Sequence, residues 1–178
     1  MIPVGTRSLL YGSHCWLWHP LLVFIAWWRL YGFPLDLRLW VAFVVHDLGY
    51  WGKPNMDGEE GEAHVLLGAA IMLRLFGQQW ADLCEFHSRH WSHTKGRNPS
   101  ALCWADKYAV ALLPPWLYVP PAWLSGEIHE YMAVAAERER RINGIKPMFA
   151  RTYTGWFAAV REHLGSIALQ NTATGGKE

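Results

Sequence analysis

Residues 36–50 read DLRLWVAFVVHDLGY. Asp36 is a good helix cap, and the run LRLWVAFVV behind it contains neither glycine nor proline. This stretch predicts a helix over 37–48 that is apolar all round and therefore central and fully packed. His46 and Asp47 stand at its end, just before a loop rich in turn residues, 49–58 (GYWGKPNMDG). A carboxylate that follows so apolar a run cannot be buried alone. It needs a metal, a cation or several donors, or it must turn out to solvent.

Working outward from this segment, every neighbouring stretch also reads as helix. Residues 15–28 are almost continuously apolar, with Pro20 suited to a first helical turn and Gly32 to a stop, which predicts a helix over 19–31. The run is shorter than the roughly 20 residues that span a bilayer, and it holds His19 and Pro20, so it reads as a buried helix of a compact protein. Downstream, helices are expected over 60–76 and 78–89. A polar loop (92–99) follows, then a helix capped by Ser100 and running to 111. The four prolines of 113–121 predict an extended or turning segment. Two more helices are expected over 122–142 and 147–164, and 171–178 (NTATGGKE) reads as a frayed tail. No segment alternates apolar and polar residues at hairpin spacing. The fold class is therefore all-α, a compact single-domain helical bundle over 1–170.

Composition narrows the function. Of 178 residues, 52% are hydrophobic and 17% charged, which excludes a disordered chain or a coiled coil. Sixteen Lys and Arg against fifteen Asp and Glu leave a net charge of +1, too little basic excess for a binder of nucleic-acid polymers. Cys15, Cys84 and Cys103 form no disulfide framework and read as small buried apolar residues in a reducing, cytoplasmic setting. No secretory signal and no transmembrane segment are read. The Trp-rich N-terminal region and the segment PPWLYVPPAW suggest an apolar patch that serves a homo-oligomer.

Metal-capable side chains recur on separate predicted elements. His19 begins one helix, His64 lies in another, His87 stands near the end of a third, and Asp106 sits within ALCWADKYA. A helical bundle builds an interior metal site in this way, from side chains on facing helices. Two registers are open. His14 competes with His19, and His90 and His93 follow His87 at intervals of three. Around these residues lies a cationic set, Lys53, Arg89, His90, His93, Lys95, Arg97 and Lys107, in which Arg89 and Arg97 are the best phosphate ligands. Glu60 and Glu62 precede His64, where either could support that imidazole or orient a water. Tyr50, Trp51 and Trp91 flank the loops and could stack a base or simply pack.

The ordered set His19, His46-Asp47, His64, His87 and Asp106 resembles the HD-domain superfamily of metal-dependent phosphohydrolases. VVHDLGYWG is similar to its namesake motif, GEAHVLLGA and EFHSRHW to its later histidine segments, and ALCWADKYA to its terminal aspartate helix. The resemblance covers about residues 14–112. Two extra histidines between the His-Asp pair and the last Asp are similar to the dinuclear branch. That branch implies His19, His46, Asp47 and Asp106 around one ion and His64 with His87 around a second, bridged by Asp47. The ligand chemistry suits two divalent transition-metal ions, iron or manganese first, with cobalt, nickel or zinc as other fits. The implied activity is hydrolysis of a nucleotide, dinucleotide or other small phosphoester by a metal-activated water. In that reading Asp47, Arg89, Lys53 and Glu62 are catalytic, and Arg89, His90, Lys53, Lys107 and His14 bind substrate. Many superfamily members carry Lys three residues after the motif Asp, where this chain has Tyr50. The same ligand order also occurs in mixed-valent di-iron oxygenases, and a non-catalytic nucleotide-binding protein is a third class.

Overall fold

The computed structural model describes residues 2–143 and 152–174, and these are helical with no strand among them. Eleven α-helices run in order: α1 (Val4–Tyr11), α2 (His19–Tyr31), α3 (Leu37–Val45), α4 (Glu59–Glu62), α5 (Val65–Phe76), α6 (Gln78–Glu85), α7 (Arg89–Thr94), α8 (Ala101–Leu112), α9 (Pro115–Ser125), α10 (Glu127–Asn143) and α11 (Tyr153–Thr174). A 3-10 turn, Leu48–Tyr50, follows α3.

The main core joins α2, α3, α5, α6 and α8 through Val23, Ala26, Phe43, Met72, Cys84 and Leu102. Alanines at 26, 42, 69, 105 and 109 line these helix contacts, and their small side chains let the backbones approach. A second cluster, with Tyr118 stacked on Phe157 at 3.9 Å, ties α9 and α10 to α11. The smaller group Leu9, Tyr50 and Met56 seats α1 on the 3-10 turn. All three cysteines are buried and free, as their sequence context predicts.

Several expectations about element boundaries are corrected. The predicted helices over 37–48, 60–76 and 78–89 are each interrupted near a histidine. The first ends at Val45; the second breaks between Glu62 and Val65; the third ends at Glu85, and α7 begins at Arg89 and occupies part of the predicted polar loop. Residues 113–121 are not extended: Pro114 precedes the helix and Pro115 opens it, positions where a missing N–H costs nothing, and α9 continues through Pro120 and Pro121. Gly126, with φ +89°, splits the predicted helix over 122–142. The helix α1 was not expected at all. Residues 171–174 of the predicted tail belong to α11, whereas 175–178 and the predicted helix start at 147 lie outside the described residues. Asp36 caps α3 as expected, accepting from the Arg38 N–H at 2.9 Å. Ser100 stands at the start of α8, but its hydroxyl donates to the Leu83 carbonyl.

Neither apolar helix is fully packed. On α2, Leu21, Ile25 and Trp28 face outward, and so do Trp16 and Leu17 just before it; on α3, Leu37, Trp40 and Val44 do the same. The run 15–28 is thus a surface helix with one buried stripe, through His19, Val23 and Ala26. No helix among the described residues is long and apolar enough to cross a membrane.

Candidate metal centre

The helix interruptions build the site. His46 is the residue after α3, His64 immediately precedes α5, and His87 lies between α6 and α7. The last turn of a helix leaves carbonyls without an amide partner. The imidazoles bond to carbonyls of these last turns: Nδ1 of His46 donates to the Phe43 carbonyl at 3.0 Å, His64 to Gly61 at 2.7 Å, and His87 to Cys84 at 2.5 Å, and the Gly61 and Cys84 carbonyls also accept the backbone N–H of the same histidine. In each case the bond reaches back three residues. A neutral imidazole that donates from Nδ1 leaves a lone pair on Nε2. The backbone thus fixes the tautomer of three rings and turns their Nε2 atoms inward.

Two glycines permit the convergence. A Cβ on Gly49 would collide with the His64 carbonyl, and one on Gly68 would stand 2.7 Å from the Val45 carbonyl oxygen. Their absence lets the start of α5 lie directly against the His46–Asp47 backbone.

Six side chains meet there in two overlapping groups. His19, His46, Asp47 and Asp106 form the first; Asp47, His64 and His87 form the second; within each, the ligand atoms lie within 4.8 Å of one another. Asp47 Oδ2 stands 3.2 Å from Nε2 of both His19 and His46, and His19 Nε2 is 3.1 Å from Asp106 Oδ1. The other Asp47 oxygen is 3.3 Å from His87 Nε2 and 3.6 Å from His64 Nε2. All six residues are buried.

The donor set fits metal ions. His19 Nε2, His46 Nε2, Asp47 Oδ2 and Asp106 Oδ1 are buried without a hydrogen bond, although their nearest neighbours within the group are 3.1 to 3.2 Å away. They face a common point rather than each other. Neighbouring donors about 2.1 Å from one ion lie about 3.0–3.4 Å apart, which is the spacing of the nearest pairs, while His46 Nε2 and Asp106 Oδ1 stand 3.9 Å apart. In the second group His64 Nε2 and His87 Nε2 approach to 3.0 Å. Two neutral rings that both donate from Nδ1 would bring lone pair against lone pair, and a cation between them removes that repulsion.

Electrostatics without ions describe the same tension. Burial pushes His46 down, but the neighbouring Asp47 and Asp106 carboxylates outweigh it and lift the imidazole to about 10. Burial pushes both carboxyls up, yet His46, His19 and His87 around Asp47, and Lys107 and the histidines around Asp106, hold each well below the usual range. Burial and the neighbouring His87 push His64 well down. The metal-free chain therefore carries a proton on His46 at neutral pH. Binding must displace it, so affinity is expected to rise with pH, about tenfold per unit while one proton is released, and to fall in acid. Calorimetric titration with Mn in buffers of different ionisation enthalpy measures this proton. The sign reverses for the fold of the metal-free chain: a raised imidazole stabilises it below about 6.5, and the contribution is lost as pH rises toward 10.

Supporting contacts surround the cluster. Lys107 Nζ donates to Asp106 Oδ2 at 2.9 Å and so leaves Oδ1 to face His19. Tyr50 stacks on His64 with centroids 3.9 Å apart and planes 9° apart. Glu62 accepts from the Ser88 hydroxyl at 2.6 Å, while Ser88 caps α7 by accepting from the Trp91 N–H, so the segments carrying His64 and His87 are tied together. His14 donates from Nδ1 to Glu127 at 3.2 Å. That fully buried carboxylate also accepts from the Ser13 N–H at 2.6 Å and from the hydroxyls of Ser8 and Ser125 at 2.6 and 2.8 Å. Lys107→Met is expected to lower metal affinity about 10- to 100-fold, because Asp106 is then free to rotate. Equilibrium dialysis against a fluorescent chelator checks it.

At both open registers the structure brings one histidine into the cluster. His19 is in the cluster, and His14 lies beside it, ring centroids 5.4 Å apart, engaged with Glu127. His87 is buried in the cluster, whereas His90 is exposed on α7. The other candidates lie outside the six-residue cluster. Arg89 is exposed at the start of α7, and Arg97 is paired with Asp82 at 3.6 Å and lies over Phe86, so neither belongs to the cluster. Lys53 sits in the loop after Tyr50, close to Glu60, whose carboxyl is held below its ordinary value chiefly by the Asn55 side chain and only lastly by the Lys53 charge. Lys107 pairs with the cluster residue Asp106 while its side chain stays 28% exposed. Tyr50 is occupied by His64 and unavailable to a base, and Trp91 donates to Glu85. Glu127 and the role of Tyr50 were missed. Glu127 lies 113 residues from His14, and no local pattern joins them.

Comparison of the chain with protein-family models, curated proteins and solved structures found no match.

Proposed function

We propose that the protein is a metal-dependent phosphoester hydrolase of the HD-domain kind, with a pair of divalent transition-metal ions as its cofactor. The observation that carries this reading is the set of four buried atoms on His19, His46, Asp47 and Asp106 that face one point without hydrogen bonds, joined through Asp47 to a second group of imidazoles. Imidazole and carboxylate donors together suit iron, manganese, cobalt, nickel or zinc over calcium or magnesium. When bound, such ions supply Lewis acidity toward phosphoryl oxygens and activate water. The two carboxylates leave a pair of divalent ions with a net charge of about +2, which favours an anionic substrate.

The chain's own residues do the positioning. Asp47 joins the two halves through its two oxygens. Lys107 fixes Asp106, and Tyr50 holds the plane of His64. A narrow crevice, too tight for a water-sized sphere, lies beside the cluster and is lined by His14, His19, His46 and Asp47. Glu127 orients the His14 ring there, so His14 is a polar side chain held directly beside the cluster. Arg89, His90 and Lys53 do not line this crevice, and they have no part in this reading.

The test is phosphate release from p-nitrophenyl phosphate and a panel of phosphomonoesters by protein loaded with Mn or Fe. Turnover at least about 10³-fold above the metal-free chain is expected. Loaded protein that hydrolyses none of them would overturn the reading.

A further inference from the structure

The rings of the metal centre form a closed circuit. His19 and His46 have ring centroids 5.4 Å apart, His46 and His87 4.9 Å, and His87 and His64 4.9 Å. Tyr50 stacks on His64 at 3.9 Å, His14 stands 5.1 Å from Tyr50, and His14 returns to His19 at 5.4 Å. Four of these six rings belong to the cluster. The other two, Tyr50 and His14, close the circuit from outside it. His14 thus reaches both halves of the centre: His19 of the first group directly, and His64 of the second through Tyr50.

The cluster rings are not held alike. His46, His64 and His87 each donate from Nδ1 to a carbonyl three residues back. His19 is the first residue of α2, and its ring neighbours are His46 and His14. His14 is itself held from a distant part of the chain. Its Nδ1 donates to Glu127, which is fixed in turn by the Ser13 N–H and by the hydroxyls of Ser8 and Ser125. The fit is close: a Cβ on Gly12 would stand 2.6 Å from Glu127 Oε1. Ser125 ends α9 and Glu127 opens α10, both beyond the residues 14–112 that carry the family resemblance.

We propose that His14 is a positioning residue for both halves of the metal centre, and that Glu127, at the junction of α9 and α10, locks it in place. The inference rests on the metal-binding part of the reading above, and it gives the chain beyond residue 112 a part in the site. Groups outside the ligands fix the orientation of ligand rings, and their loss costs about 10–100-fold in metal affinity. Aromatic neighbours do so through their preference for offset or edge-on geometry, which restricts the tilt of each ring. Without the His14 ring, His19 loses a neighbour and Tyr50, behind His64, loses its backing at the same time. Both groups then loosen together.

The experiment titrates the full chain with Co(II), with circular dichroism on each preparation to confirm the fold. Affinity is read by competition with a fluorescent chelator, and ligand geometry by the visible absorption bands of bound cobalt. His14→Ala is expected to lower affinity at both groups about 10- to 100-fold and to shift the cobalt bands. Glu127→Gln, which keeps the shape but offers the donors one oxygen in place of two, should move both readouts the same way by less. Met72→Ala makes the comparison. It opens a cavity about two turns along α5 from His64, outside the circuit, and should lower the melting temperature while leaving affinity and bands as in the wild type. Wild-type affinity and bands in His14→Ala or in Glu127→Gln would overturn the inference and leave the metal centre standing. So would a loss confined to one group, or an equal loss in Met72→Ala. A wild-type chain that binds no cobalt would overturn the centre and the inference together. Turnover is not among the readouts, so failure of hydrolysis alone leaves the inference intact.

Discussion

An Asp47→Asn protein is expected to lose both ions together and, with them, at least about 10³-fold in hydrolytic rate. Asp47 is the residue common to the two groups. One oxygen faces His19 and His46, and the other faces His87 and His64. Asparagine keeps the shape but offers one oxygen and an NH2 group, and that NH2 would point its hydrogens at imidazole lone pairs. It replaces an ion with a hydrogen bond, so the fold is expected to survive while the ions are lost. Metal analysis and circular dichroism on the same preparation check both halves of the statement. His64→Ala makes the contrast, because it removes a member of the second group alone and should leave the first group's ion in place.

The second large effect falls on stability. Glu127 is a fully buried carboxylate with four donors aimed at it: the Ser13 N–H, the hydroxyls of Ser8 and Ser125, and the His14 imidazole. Glu127→Ala strands all of them in the interior. Breaking one partner of such a buried pair costs about 3–5 kcal/mol, which lowers the melting temperature by about 10 °C in a chain of this length. Glu127→Gln should cost less, since the amide oxygen keeps some of the bonds. The pH dependence has a definite sign. Burial pushes the Glu127 carboxyl up, but His14 and the surrounding donors outweigh it and hold it below its ordinary value. Its contribution is therefore present above about pH 4.5 and is lost as pH falls through the lowered value. Burial pushes His14 down, and Glu127 more than restores it. That contribution is present below about 6.5 and is lost as pH rises through the raised value. The pair stabilises the chain most between these limits, and thermal melts across pH measure it.

Helix type and the cluster were legible because both write short-range signals. Pro20, Gly32 and Asp36 mark helix ends by backbone geometry alone, and α2 and the start of α3 fall where they indicate. The metal-capable residues stood out as polar side chains in apolar surroundings. What stayed hidden was set by tertiary contact. The predicted helices ran through His46, His64 and His87 because nothing in local propensity disfavours helix there. The breaks fall where imidazoles bond to last-turn carbonyls and where Gly49 and Gly68 let backbones close up. The surroundings of Arg89 and Arg97 stayed hidden for a similar reason: their nearness in sequence to His87 does not say which way α7 turns. Glu127 could not be paired with His14 without knowing that α1 and α10 meet. The apolar runs of α2 and α3 looked fully buried because an apolar face turned to solvent has no separate signature in sequence.

The convergence of these six side chains on a pair of ions is tested most directly by counting the ions. Protein purified without chelator, equilibrated with Mn or Fe(II) and freed of loose metal by gel filtration, should carry two equivalents of transition metal per chain. It should keep the first group's ion when His64 is replaced and neither ion when Asp47 is replaced. A wild-type chain that retains one ion or none under these conditions would contradict the account.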